Sequence, residues 1–250
     1  MALLIMEKNA DLWYIRIMKR TFFFSNFFSR CFLAIILCIF SVLPLIAGDF
    51  SDNFSWFFSG SVLFFPEDNG VNSDPGPILP SFGLGADLPI YGPLRAEITL
   101  DVYFTHYRYD FGLDRAVPVS VENRSARVIG PVLGIPLSAW FTLTPHSHLR
   151  IYGGPAADLR IVFLAANLNE DLDPMDEIRK EVSAVKDYFW SGGRWFLPVF
   201  GAGMDFDFSP KIKLGFDTRV WFPVYKLWTN EDLPAIEGWR FGLGARISFL

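Results

Sequence analysis

From Trp239 to the C-terminus, apolar and polar side chains alternate with a period of two. Trp239, Phe241, Leu243, Ala245, Ile247 and Phe249 fall on one face, and Arg240, Gly242, Gly244, Arg246 and Ser248 on the other. A strict two-residue period is a strand with two unlike sides. The same alternation recurs upstream and predicts eight strands, at about 54–65, 79–88, 94–111, 126–143, 148–165, 194–208, 211–227 and 239–249. The third is the cleanest: Leu94, Ala96, Ile98, Leu100, Val102 and Phe104 oppose Arg95, Glu97, Thr99, Asp101 and Tyr103. It ends in a run of aromatics through Phe111 that suits a membrane interface.

The connections alternate in length. Tight turns are predicted at 89–93, 144–147 and 209–210, and longer polar loops at 66–77, 112–125, 166–193 and 228–236. Within the longest loop, Asp173-Pro174 can start a helix on which Met175, Ile178, Val182 and Val185 share a face. All short turns then fall at one end and all long loops at the other. An even number of antiparallel strands with that asymmetry closes into an up-and-down barrel without a free edge. Pro131, Pro136, Pro155, Pro198 and Pro223 count against unbroken strands, because each removes a ladder hydrogen bond.

Alternation does not say which face lines the interior. A soluble lipocalin-like ligand carrier is also eight-stranded, with its apolar face inward. Rows of Phe are too bulky to line so narrow a lumen. The polar face carries glycines at 83, 85, 130, 134, 201, 203, 215, 242 and 244, which suits a crowded interior. The expected fold is therefore all-β, a closed eight-stranded antiparallel transmembrane barrel. Its lumen is expected to hold Arg95, Arg150, Arg160, Lys213, Arg219, Arg240 and Arg246 with Asp87, Glu97, Asp101, Asp158, Asp205, Asp207 and Asp217. Equal numbers of each sign imply an internal salt-bridge network, since a buried charge is tolerated only when paired. Such a network is either a gate on a polar pathway or a plug that fills the barrel, and the narrow lumen favours the plug.

Composition agrees with spread-out apolar residues: the chain is 51% hydrophobic and only 20% charged. One long apolar run exists, Cys31 to Ala47, behind Lys19, Arg20 and Arg30 and ahead of Gly48-Asp49. Those are the parts of a secretory signal peptide. The expected division is 1–48 as N-terminal extension plus signal, with translation starting at Met18, and 49–250 as the barrel; an uncleaved membrane anchor is the alternative. Both cysteines, Cys31 and Cys38, lie in that leader. Without residues 1–48 the 22 basic and 27 acidic residues fall to 17 and 25. A net charge near −8 argues against a nucleic-acid partner.

Candidate chemistry is sparse. His146-Ser147-His148 has a catalytic flavour but sits in a predicted tight turn with no carboxylate near in sequence. None of the three histidines has metal-ligand spacing, and no cofactor is expected. Gly83-x-Gly85 and Gly242-x-Gly244 are strand glycines, with no helix following to cradle a phosphate. Tyr188-Phe189-Trp190 with Trp195 reads as an outer-rim girdle or a binding patch.

The terminal strand resembles that of bacterial outer-membrane β-barrels, the segment their assembly machinery reads, through Trp239, Phe241, Leu243, Ile247 and Phe249. The usual pattern ends on the aromatic; here Leu250 follows Phe249. From about residue 50 onward the chain resembles the small eight-stranded group that includes the OmpA membrane domain, OmpX and the OmpW family. The resemblance implies location in the cell outer membrane and partnership with outer-membrane lipid and the barrel assembly machinery. An OmpW-like, porin-like relation implies passage of small hydrophobic compounds through an apolar lumen, from which the charged interior departs. The expected function is non-enzymatic: a structural or surface-interaction role with an extracellular ligand, or a minor small-solute pore. Barrel lipid A deacylases resemble the His-Ser pair in residue type, but theirs works on the lipid-facing wall near the outer surface. That leaves a lipid-modifying enzyme as the alternative.

Overall fold

The computed structural model describes residues 54–66, 78–112, 114–119, 126–164, 175–229 and 238–249. Residues 1–53, which hold both cysteines and the expected leader, and most of the polar loops lie outside the described residues.

The strands are β1 (Ser55–Phe64), β2 (Ile78–Tyr91), β3 (Leu94–Asp110), β4 (Arg115–Val119), β5 (Ala126–Gly134), β6 (Leu137–Thr144), β7 (Ser147–Gly154), β8 (Ala156–Asp158), β9 (Ile161–Leu164), β10 (Val199–Ser209), β11 (Ile212–Trp221) and β12 (Arg240–Phe249). Eight staves form a closed antiparallel ring: β1, β2, β3, β5 with β6, β7 with β8 and β9, β10, β11 and β12. Strand β12 pairs back onto β1, with Gly60 opposite Ala245 at the middle of the seam. Closure leaves the ring of eight staves no open seam, which lipid demands because it satisfies no backbone polar group.

The outer face is apolar. Phe82, Phe208 and Phe216 stand 68%, 73% and 63% exposed, alongside Phe58, Leu84, Leu137, Phe141, Ile151, Phe200, Leu243 and Ile247. No water-soluble surface carries so continuous an apolar band, and lipid is its solvent. A row of outer aromatics packs at the long-loop end: Phe222 meets Phe200 and Trp239 edge-on, and Trp239 stacks on Phe241. These faces are the reverse of a lipocalin-like carrier.

The prolines decide where the strands stop. Pro136 parts β5 from β6 and Pro155 parts β7 from β8. The two breaks are neighbours, joined by the Ile135 N–H donating to the Pro155 carbonyl at 3.0 Å. Pro131 stays in its strand opposite Val102. The expected sixth strand starts at Val199 rather than Arg194, since Pro198 has no donor for the ladder. The seventh ends at Trp221 rather than Leu227; Pro223 follows, and the chain then forms the short helix α2 (Lys226–Thr229), numbered after α1 (Met175–Trp190).

The long-loop end is more structured than expected. Part of the second polar loop is β4, which extends the wall as a hairpin with β3. Its turn has Asp114 at φ 49°, a left-handed conformation that Asp tolerates. The Tyr109 hydroxyl donates to Asp114 Oδ1 at 2.5 Å across that turn. Burial and then this hydrogen bond push the Tyr109 hydroxyl well above its ordinary pKa, so it remains a donor. Helix α1 runs to Trp190, beyond Val185, the last residue named for the expected helical face, because Phe189 continues its buried face past Ile178 and Val185.

Candidate functional site: the filled lumen and its roof

Residues of one strand parity point inward, and the fold stacks their charges in layers. At the short-turn end, Asp207 Oδ2 lies 3.2 Å from His148 Nε2 and Asp207 Oδ1 3.5 Å from Lys213 Nζ. Arg95 stacks on the Trp140 ring, 4.5 Å from its centroid. In the middle, Arg150 bridges Glu97 at 3.0 Å and Asp205 at 3.3 Å. Arg246 meets the same Asp205 at 2.8 Å and reaches Asp87 at 3.5 Å and Glu97 at 3.8 Å. Arg219 sits between Asp101 at 2.9 Å and Asp217 at 3.1 Å, and Tyr152 donates to Asp217 at 2.5 Å. Towards the long-loop end, Asp158 takes Arg160 at 2.5 Å, Arg240 at 2.6 Å and the Tyr103 hydroxyl at 2.9 Å.

Thirteen of the fourteen ionisable residues named for the lumen thus meet a charge of opposite sign. Arg95 meets an aromatic face instead. Most of these side chains are almost fully buried, with Asp158 and Asp205 at 0%. Burial at that depth is affordable only inside such a network.

Aromatics fill the remaining space. The Tyr103 ring covers Gly130, the Phe57 ring covers Gly85 and the Tyr152 ring covers Gly201, so a Cβ at each glycine would collide with the ring. Gly130→Val is expected to cost about 1–3 kcal/mol by overpacking, read as a lower denaturant midpoint of the folded barrel. A cavity of about 20 Å³ remains among Phe57, Glu97, Asp101, Arg150, Asp217 and Arg246, room for about one water.

The lumen is roofed at its long-loop end. Leu63, Phe65, Leu197, Val199, Trp221 and Tyr225 form an apolar layer around Tyr103. Helix α1 packs above on the inner side of β3 and β5, where Val185 and Phe189 meet Tyr107, Ala126 and Val128. Phe189 also lies over the Arg160 guanidinium, 4.2 Å from it, which couples roof to charge layer. Beyond α1, Gly192 and Gly193 turn the chain at positive φ, and Trp228 of α2 donates to the Gly192 carbonyl at 2.7 Å.

Two expectations change here. Phe189 and Trp195 are buried in the roof rather than displayed as an outer girdle, while Trp190 is exposed. His148 does have a carboxylate, since the barrel brings Asp207 to it from 59 residues away. The hydroxyl beside His148 is Thr142 at 3.3 Å, whereas Ser147 pairs with Thr144 at 2.7 Å. This His-Asp pair sits at the short-turn end, not on the lipid-facing wall. Among the described residues no group of three or more His, Cys, Asp or Glu could hold a metal ion. Trp140 and Tyr152 were legible as lumen residues, since they share parity with Ser138 and Arg150.

No family model and no curated protein matches the chain. Among solved structures it is similar to Neisserial surface protein A (10% identity, 78% of this chain and 96% of that one, TM-score 0.46). It is also similar to Ail, the attachment invasion locus protein of Yersinia pestis, in complex with the heparin analogue sucrose octasulfate (8%, 78% and 94%, 0.40). A third is the N-terminal β-barrel domain of Pseudomonas aeruginosa OprF (11%, 78% and 97%, 0.35).

Proposed function

We propose that this chain is a non-enzymatic integral protein of the cell outer membrane, a filled barrel whose working surface is its long-loop end. One observation carries the reading: the lumen is occupied throughout by paired charges and rings, beneath a helical roof. A polar pathway needs a file of waters or mobile side chains along the axis, and a space of about 20 Å³ holds about one water. The barrel then serves as a rigid mount for β4, α1 and the loops around them, where an extracellular ligand would meet it. In this reading residues 1–48 are the leader, and the assembly machinery reads β12 through Trp239, Phe241, Leu243, Ile247 and Phe249.

Two measurements test the reading together. Unboiled and boiled samples of the outer-membrane fraction are expected to migrate differently in SDS, because a closed barrel resists the detergent until heated. The same protein in a planar bilayer is expected to give no steady conductance. A heat shift with stable conductance steps turns the network into a gate and makes the minor pore the function. A periplasmic protein with no heat shift removes the membrane reading altogether.

A further inference from the structure

The wall formed by β3, β5 and β9 carries a set of cations that the lumen network does not use. On β3, Tyr103, Thr105 and Tyr107 are buried inside, so Phe104, His106 and Arg108 face outward. The ladder places Ile129 opposite Phe104 and Arg127 opposite His106. It also sets Phe163 opposite Arg127 and Ile161 opposite Ile129. The outer face therefore reads in rows: Phe104, Ile129 and Ile161 form an apolar row, then His106, Arg127 and Phe163, then Arg108. On the same face, at the end of the hairpin, Arg115 lies opposite Asp110. Asp110 Oδ1 accepts the Gly112 N–H at 2.9 Å.

Height along the wall gives these rows a meaning. From Leu94 to Phe104 the strand takes about ten steps of ~3.3 Å. At a tilt of roughly 40° that rises about 25 Å, the height of a barrel's apolar band. Arg127 and Arg108 stand just above the band, where hydrocarbon gives way to headgroups. Neither makes an ion pair or hydrogen bond among the described residues, and Arg108 Nε is buried without a partner. In the lumen nearly every Arg is neutralised; here adjacent rows hold two that are not.

We propose that Arg108 and Arg127, with His106 between them, bind the phosphate of an outer-leaflet glycolipid whose acyl chains lie on Phe104, Ile129, Ile161 and Phe163. A guanidinium pairs with phosphate through two parallel N–H donors. The apolar row directly below supplies the wall that an acyl chain needs, so charge and greasy surface meet at the spacing of a phosphorylated lipid. The inference rests on the outer-membrane reading above and adds to it a particular lipid chemistry and a particular stretch of the rim.

The test uses the full folded protein in neutral detergent with trace lipid A, its dephosphorylated form or inorganic phosphate, and counts retained ligand by native mass spectrometry. Wild type is expected to retain lipid A. R108Q/R127Q is expected to lose roughly thirtyfold in apparent affinity, from about a factor of five per arginine near an anionic surface. Arg127→Gln alone, at an exposed position, is expected to lose about fivefold and covers the case of a double variant that does not fold. Equal retention by wild type and either variant overturns the inference, as does equal retention of the dephosphorylated lipid. Competition by millimolar inorganic phosphate overturns the lipid as the source. Heat-shifted migration is read on the same samples: a wild type that shifts but does not discriminate lipids sinks this inference alone, and one that never shifts sinks the membrane reading.

Discussion

Asp158→Ala is expected to destabilise the barrel by about 3–5 kcal/mol, the cost of breaking a buried ion pair from one side. Asp158 holds three donors on one fully buried carboxylate: Arg160, Arg240 and the Tyr103 hydroxyl. The partners left behind have little else. Arg160 keeps the Phe189 ring and Arg240 keeps the Tyr103 hydroxyl at 3.3 Å, neither of which is a counter-charge. Two guanidinium groups would stand uncompensated in a space closed above by the roof. Loss of Arg150 is gentler by comparison, because its acceptor Asp205 keeps Arg246 at 2.8 Å.

The measurement is the denaturant midpoint of the folded protein in detergent, with the temperature of the SDS mobility shift alongside. Asp158→Asn should fall between wild type and Asp158→Ala, since it keeps the shape and one acceptor. The triple replacement Asp158→Leu, Arg160→Met, Arg240→Met should recover most of the loss, because packed apolar side chains often match a buried ion pair in stability. The result also bears on function. If Asp158→Ala costs under about 1 kcal/mol, water has reached the stranded arginines. A lumen that hydrates them is wet, and the pore reading then outranks the plug.

The ring was legible in the sequence because a wall between lipid and a polar interior forces the strongest pattern a strand can carry. Every stave must change polarity at each residue, so a one-residue slip would put Arg246 or Asp205 into lipid. That pressure made the parity of Arg150, Asp158 and Arg160 readable through the broken stave at Pro155. It does not act above the membrane. The hairpin strand β4 looked like loop because Arg115-Ala116-Val117-Pro118-Val119 is short and holds a proline. Its pairing with β3 depends on a turn closed by Tyr109 and Asp114, which no periodicity signals. For α1 the type was legible and the far end was not: the helical face was visible from Met175 to Val185, while Phe189 was read with its aromatic neighbours as a rim. His148 with Asp207 is a different kind of miss. Their contact exists because β7 and β10 are neighbours in the ring, with Asp205 registered opposite His148, and adjacency of staves is the property that spacing along a chain does not carry.

Leu243→Arg is expected to abolish stable insertion, and it tests the assignment of faces from outside as Asp158 tests it from inside. Leu243 stands 53% exposed on β12, opposite Val62 on one side and Thr218 on the other. The position is next to the seam where the ring closes and close to mid-height of the apolar band. An arginine on the lipid face near the midplane costs roughly 2–4 kcal/mol, falling towards zero at the interfaces. The same substitution at Phe249, at the short-turn end of the strand, should therefore be far milder, because its guanidinium can reach the headgroups. Depth dependence is the signature: a graded loss of the heat-shifted band from Phe249→Arg to Ile247→Arg to Leu243→Arg follows from a bilayer and from nothing in the protein's own packing. A soluble barrel gives the opposite order of merit, since charge on its exterior improves solubility wherever it is placed. If Leu243→Arg leaves the mature chain folded and raises its yield in the soluble fraction, the apolar exterior faces a protein partner or another copy instead of lipid. The scaffold would then have to be re-read with its charged core intact and its surroundings exchanged.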